Sequence, residues 1–260
     1  MLKELYTAAL GMLPQQTRLE VMSNNLANAS TSGYKRDSVF ERNMIDARAH
    51  FYNVKGDAEQ DDPPHGSYTD FNNGAMENTE NVLDVAIDGK GFFVLQDEEG
   101  KQFLSRNGNF RLSKDGNVVA TDGKYLMGQE GILNVFSEYF TPSGNQDGAR
   151  SVNIKINENG EMFANEMSVG NLLIADVENP NDLEKVSAST FIVAGDNAGL
   201  SYIAQDEVMV RQGWLESSNV DVVSEMVQMI ELQRMFEAGS KVIHTNNATL
   251  ENSIRLGKYY

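Results

Sequence analysis

Apolar residues recur with helical spacing at both ends of the 260-residue chain and with strand spacing between them. From the start, Leu2, Leu5, Ala9, Met12, Gln16, Leu19, Ser23 and Leu26 return every third or fourth position. The column Leu5, Met12, Leu19, Leu26 is wholly apolar, and its companion Leu2, Ala9, Gln16, Ser23 is mixed. That pattern predicts a helix with a narrow, coiled-coil-like stripe. Pro14 inside it predicts a kink or two abutting helices, because proline removes a backbone donor. The C-terminal end repeats the design. Val222, Met229, Phe236, Ile243 and Leu250 form an apolar column, while Met226, Gln233, Ser240, Asn247 and Ile254 form a half-polar one. Val223, Val227 and Ile230 widen the stripe, and Ser218 or Asn219 is the expected N-cap. Such a helix would reach about 35 residues, or roughly 50 Å. Polar Gln16, Ser23, Gln233, Ser240 and Asn247 within the stripes suit register among repeated helices better than a private core.

Between the helices the period changes to two, as in Asp84-Val85-Ala86-Ile87-Asp88 and Val152-Asn153-Ile154-Lys155-Ile156. Turn dipeptides are frequent: Asp88-Gly89, Glu99-Gly100, Asn107-Gly108, Asp115-Gly116, Asp122-Gly123 and Asn159-Gly160. Short strands between such turns predict an antiparallel all-β unit, with two similar hairpins at 110–120 and 154–164. Acidic residues 53–80 read as a connector and 137–150 as a surface loop. The expected fold class is therefore α+β: long N- and C-terminal helices pairing as a coiled-coil-like inner layer, with an antiparallel all-β domain inserted between them. The expected segments are a helix and exit turn at 1–35, an extended connector at 36–82, a β-rich outer domain at 83–207, and a C-terminal segment with a long helix at 208–260.

Charge and chemistry narrow the function. The formal net charge of −17 opposes binding to phosphate backbones, so nucleic acid is not an expected partner. No apolar run approaches the roughly 20 residues of a membrane span, so membrane insertion is not expected. The first residues are not expected to be a cleaved signal, since Glu4, Gly11 and Pro14 break the pattern. Cysteine is absent, which removes disulfides and thiolate chemistry. His50, His65 and His244 have no metal-ligand spacing. Gly89-Lys90-Gly91 lacks the third glycine of a dinucleotide loop and runs into Phe92-Phe93-Val94. No EF-hand or nucleophile elbow is visible. No catalytic residue, metal site or cofactor is expected. Two other classes stay open on these residues alone: a binding module whose helices cap a β-core, and an enzyme such as an assembly-linked muramidase. The second would need paired catalytic carboxylates on an added domain.

Ser23-Asn24-Asn25-Leu26-Ala27-Asn28-Ala29-Ser30-Thr31-Ser32-Gly33-Tyr34-Lys35-Arg36 resembles the N-terminal motif of the bacterial flagellar rod and hook proteins. Asp84–Phe93 and Ser105-Arg106-Asn107-Gly108-Asn109-Phe110 are similar to the opening of their β-domain. Gln212-Gly213-Trp214-Leu215-Glu216-Ser217-Ser218-Asn219-Val220 and Glu231–Glu237 are similar to their C-terminal block. The resemblance implies an axial subunit of the basal body. Such a subunit is exported unfolded by the flagellar type III apparatus, assembles in the periplasm with copies of itself and other rod and hook proteins, and surrounds a central channel. Chain length is below that of a typical hook protein, and the short stretch between Phe40 and Asp84 favours a proximal-rod type, with a distal-rod or short hook-like subunit as the alternative. On this reading the assembly interface comprises Leu5, Met12, Leu19, Leu26, Val222, Met229, Phe236, Ile243 and Leu250. The same interface takes in Asn24, Asn25, Asn28, Gly33, Trp214 and Asn247.

Overall fold

The computed structural model of the chain describes residues 2–41, 65–136, 152–193, 199–205 and 207–257. Side chains are described from Pro14 of the first helix onward and up to Thr249 of the last, those at 40, 41, 65, 66 and 181 excepted. Residues 42–64 of the expected connector and the whole of the expected loop at 137–150 lie outside the described residues, as do the side chains of Leu5, Met12 and Leu250.

Helix α1 (Leu2–Ala27) runs through Pro14 as one element. The chain then forms β1 (Asp37–Glu41) and β2 (His65–Thr69), followed by β3 (Met76–Asn78), β4 (Val85–Ile87), β5 (Phe92–Gln96) and β6 (Gln102–Ser105). Next come β7 (Phe110–Leu112), β8 (Val118–Ala120), β9 (Tyr125–Gly128), β10 (Gly131–Ile132), β11 (Ile154–Ile156), β12 (Glu161–Ala164) and β13 (Met167–Asn171). The strands close with β14 (Ile174–Val177), β15 (Leu183–Lys185), β16 (Thr190–Val193), β17 (Leu200–Tyr202), β18 (Val210–Gln212) and β19 (Trp214–Glu216). Helix α2 (Val222–Gly257) ends the described chain. Its N-cap is Asp221, whose Oδ1 accepts the amides of Val223 at 3.0 Å and Ser224 at 3.4 Å. The cap therefore lies later than the expected Ser218 or Asn219.

The chain divides into two compact units. One, the helical unit, holds residues 1–29, 36–70 and 220–260, so α1, α2 and the β1–β2 hairpin belong together. The other, the β unit, holds 30–35 and 71–219. Within the β unit, ten strands form the largest sheet, with the path β15-β16-β6-β5-β9-β8-β7. Strand β5 is buried on both faces. Phe93 and Leu95 join one apolar cluster with Phe110, Leu126 and Ile174, while Phe92 and Val94 join a second with Leu104 and Phe191. A strand covered on both sides reads as a continuous apolar run, and Phe92-Phe93-Val94-Leu95 is that run.

One turn is used four times. At 97–101, 113–117, 120–124 and 157–161 the first residue's amide bonds the last residue's carbonyl, and the fourth residue's amide bonds back to the first carbonyl. The fourth residue is Gly100, Gly116, Gly123 or Gly160, with φ between 82° and 87°. This is a type I turn closed by a left-handed glycine, the three-residue-loop hairpin chemistry. Hairpin registers follow: Phe110 faces Ala120 and Ile154 faces Ala164.

The expected architecture needs correction. The protein is predominantly antiparallel β in several sheets, and its two helices do not form a coiled-coil-like layer. Among the described residues, Leu232 is the one buried apolar side chain that a helix contributes. On the expected column, Val222 and Phe236 are each 38% exposed, and Met229, Ile243, Leu19 and Leu26 are only partly covered. Among the described residues, the buried positions of α2 are Glu225 and Leu232, one heptad apart and three residues out of phase with Val222 and Met229. Three residues rotate a helix face by roughly 60°. Glu225 sets that rotation, because its buried carboxylate is ion-paired with Arg36 at 2.5 Å. Periodicity alone counted apolar positions and could not register a glutamate that must face inward.

Two glycines of the shared turn separate strain from packing. At Gly123 an added Cβ meets nothing within 4 Å, whereas at Gly116 it would lie 2.4 Å from the Phe136 ring. Gly123→Ala should cost about 1–2 kcal/mol, the left-handed penalty alone. Gly116→Ala should cost more, or expel Phe136. Urea denaturation of both variants checks the order.

Candidate functional site

The polar stretch after α1 is where the chain leaves the helical unit, joins the β unit and returns. Asn28 closes the helix: its amide reaches the Asn24 carbonyl at 3.1 Å, and its Nδ2 donates to the Asn24 Oδ1 at 2.7 Å. Asn25 is buried and pairs with one residue of β1. Its Nδ2 donates to the Asp37 carbonyl at 2.8 Å, and its Oδ1 accepts the Asp37 amide at 3.0 Å. A side-chain amide offers both groups in one plane, so it mimics a strand neighbour.

Gly33 makes the next step. Its φ is +68°, and a Cβ there would lie 2.4 Å from the backbone of Arg106 and Asn107. Its amide donates to the Glu216 carbonyl at 2.7 Å. Only glycine accepts both the conformation and the approach. Tyr34 follows, fully buried, with the Lys185 ammonium 3.9 Å from its ring centre. The same ammonium donates to the Lys35 carbonyl at 2.9 Å.

Lys35 enters a buried ion cluster. Its Nζ donates to Glu216 Oε1 at 2.7 Å and to the Asn72 carbonyl at 2.8 Å. The same Glu216 oxygen accepts the Gly74 amide at 2.9 Å. Glu216 Oε2 takes Arg106 Nη1 at 3.3 Å, and Arg106 Nη2 donates to the Gly89 carbonyl at 2.7 Å. Lys35, Glu216 and Arg106 are between 1% and 5% exposed. Burial pulls the Arg106 guanidinium below its ordinary value, opposed chiefly by the Glu216 charge. An arginine nevertheless stays protonated, so the cluster carries two cations on one carboxylate. The next residue, Arg36, pairs instead with Glu225 of the helical unit. Two adjacent cations thus engage two glutamates, one in each unit.

Of the residues expected at an assembly interface, the structure brings Asn24, Asn25, Asn28 and Gly33 together at this exit. Asn25 and Gly33 are satisfied within their own chain. Trp214 stands on β19, half-buried, opposite Asn78. Val222, Phe236 and Asn247 are exposed on α2, and Leu19, Leu26, Met229 and Ile243 are partly covered. Leu5, Met12 and Leu250 have no described side chains. The ion cluster itself was missed. Its signal was present, since Lys35, Arg106 and Glu216 each fall in a different one of the recurring sequence blocks.

Three family models match along the chain. Residues 5–35 match the flagella basal body rod protein model, 86–171 the D1 domain of the flagellar hook protein FlgE/F/G, and 211–256 the C-terminal part of the flagellar basal body rod FlgEFG protein. The flagellar basal-body rod protein FlgG of Agrobacterium fabrum is 32% identical, covering 94% of this chain and 95% of that protein. FlgG of Bacillus subtilis is 28% identical over 98% of this chain and 99% of its own length. The flagellar hook-basal body complex protein FlhO of Bacillus subtilis is 27% identical over 97% of each. These relatives are matched almost end to end, and their names assign no axial level.

Removing the hub tests the cluster. Glu216→Ala leaves two buried cations unpaired and should destabilise the chain by about 3–5 kcal/mol. Lys35→Met, which removes one of the two cations, should cost clearly less. Urea midpoints of the two variants give the comparison.

Proposed function

We propose, for a chain that belongs to the flagellar basal-body rod protein family, the role of a structural subunit of the rod. Copies assemble with one another and with other rod and hook proteins into the shaft of the flagellar basal body, which carries motor torque to the hook. The protein is a structural element, not an enzyme. Export by the flagellar type III apparatus and assembly on the periplasmic side belong to this reading. A chain without cysteine, which moves between redox compartments unchanged, supports it.

The observation that carries the mechanism is the exposed apolar stripe on the first half of α2. Val223, Met226, Val227 and Ile230 are 70%, 48%, 52% and 50% exposed and recur at helical spacing. A contiguous apolar patch of this kind on a folded surface marks an interaction site. Together with Val222, Phe236, Asn247 and the partly covered Leu19, Leu26, Met229 and Ile243, it forms the surface that neighbouring subunits cover. Leu5, Met12 and Leu250, whose side chains lie outside the described residues, are assigned to the same interface by their spacing in the sequence alone. Asn24 and Asn28 provide polar contacts at the helix exit, and Trp214 one on the β unit. A head-to-tail contact that does not close generates a helical tube.

Ile230→Asp tests this assignment. The side chain is already half in water, so circular dichroism and the unfolding midpoint of the monomer should match the unsubstituted chain. Basal bodies from cells relying on the variant should lack the rod, and the cells should be non-motile. Normal rods from Ile230→Asp would remove the stripe from the assembly surface.

A further inference from the structure

Sulfur enters this chain only as methionine, with 12 methionines and no cysteine. Where a thiolate is present it is a prime target for peroxide; here the thioethers take its place. Solvent access sorts the described methionines. Met162 is 1% exposed in the core of the β unit, and Met22, Met76, Met127 and Met229 are partly covered. Met167, Met209, Met226 and Met235 are 54%, 59%, 48% and 47% exposed.

Three of these four stand apart from the exposed apolar stripe of α2. Met167 is on β13 and Met209 precedes β18, both in the β unit. Met235 lies about two and a half turns along α2 from Met226, so the two occupy opposite faces of the helix. Met226 stands in the middle of the stripe. Val223 is about one turn before it and Ile230 about one turn after, with Val227 beside it, and all three are at least half exposed.

We propose that Met226 is an oxidation site that governs entry of the subunit into the rod: in the unassembled chain, peroxide converts its thioether to the sulfoxide, and the sulfoxide bars assembly. The step is a two-electron oxidation. The sulfur gives up an electron pair and gains one oxygen, the peroxide O–O bond breaks, and the second oxygen leaves as water. A flexible apolar side chain becomes a polar, chiral one at the centre of the stripe. The fold of the free subunit tolerates this, because Met226 already meets water and the core methionine Met162 is out of reach. Once neighbouring subunits cover the stripe, oxidant no longer reaches the sulfur, so a subunit already built in is protected. The inference rests on the rod-subunit reading and adds the modification that turns its assembly surface off.

Two measurements test it. Purified full-length chain is treated with hydrogen peroxide and its peptides are read by mass spectrometry. Sulfoxide should form at Met167, Met209, Met226 and Met235 well before Met162, with circular dichroism unchanged. The consequence is read in a flagellated host that lacks methionine sulfoxide reductases and relies on this chain as its rod protein. Peroxide applied while rods are being built should lower the number of rod-bearing basal bodies several-fold. With Met226→Leu that number should hold at the variant's own untreated level, because leucine has no sulfur to oxidise. With Met209→Leu the loss should match that of the unsubstituted chain. Met226→Ile replaces Met226→Leu if the leucine variant builds no rods. Rods treated after they are complete should carry no sulfoxide at Met226. Three results overturn the proposal and leave the rod reading standing: a Met226 that stays reduced in the monomer while Met167 and Met209 oxidise, an equal loss of rods from the Met226→Leu and unsubstituted chains, or sulfoxide at Met226 inside completed rods. Normal rods in an untreated host from which this chain has been deleted overturn the rod reading itself.

Discussion

The buried carboxylate of Glu216 is the point on which the β unit's connectivity depends. It binds an ammonium from the segment leaving α1, a guanidinium from the end of β6 and a backbone amide from the approach to β3. Its own carbonyl takes the Gly33 amide. Four stretches distant in sequence therefore meet on one residue. Two cations and one anion in a dry site are expensive to assemble, and an apolar substitute of the same shape would often be as stable. What the cluster provides instead is direction. Lys35 cannot slip by one residue, because Tyr34 and Arg36 would then face the wrong surroundings, and Gly33 would be replaced by a residue with a Cβ where none fits.

The position of Lys35 beside Arg36 has a further consequence. Consecutive residues along an extended chain point to opposite sides. Lys35 is anchored to Glu216 in the β unit and Arg36 to Glu225 in the helical unit, so the chain is fixed on each side of the crossing. The last crossing lies between those same two glutamates, at 219–220. Each unit thus holds one of the two adjacent cations through a glutamate of its own.

Much of this was legible in the sequence, for identifiable reasons. Alternation and Asp-Gly or Asn-Gly pairs located the hairpins at 110–120 and 154–164, since the turn's requirement for a left-handed glycine is local. Both helices were legible from spacing alone. The facing of α2 was not. Counting apolar positions selected Val222, Met229 and Phe236, whereas a long-range ion pair selected Glu225 and Leu232. The same limit hid the ion cluster. Lys35, Arg106 and Glu216 are separated by 71 and 110 residues, and nothing in the local pattern of a charged residue tells a solvated one from a buried one.

That mismatch between apolar pattern and buried face bears on how the two units are stabilised. The β unit holds nearly all of the described buried apolar side chains, in two clusters separated by β5. The helical unit buries Leu232, a glutamate and an asparagine, and leaves Val223, Met226, Val227, Ile230, Met235 and Val242 in water. Apolar area exposed in this way forgoes roughly 25 cal/mol for each Å². Among its described residues this 36-residue helix buries Leu232 and the Arg36-paired Glu225 and leaves most of its apolar positions exposed. Covering those exposed positions by neighbouring subunits would add the stabilisation they forgo. A subunit built this way folds its β unit on its own account and completes its helices only in company, which is the division of stability that an assembling rod requires.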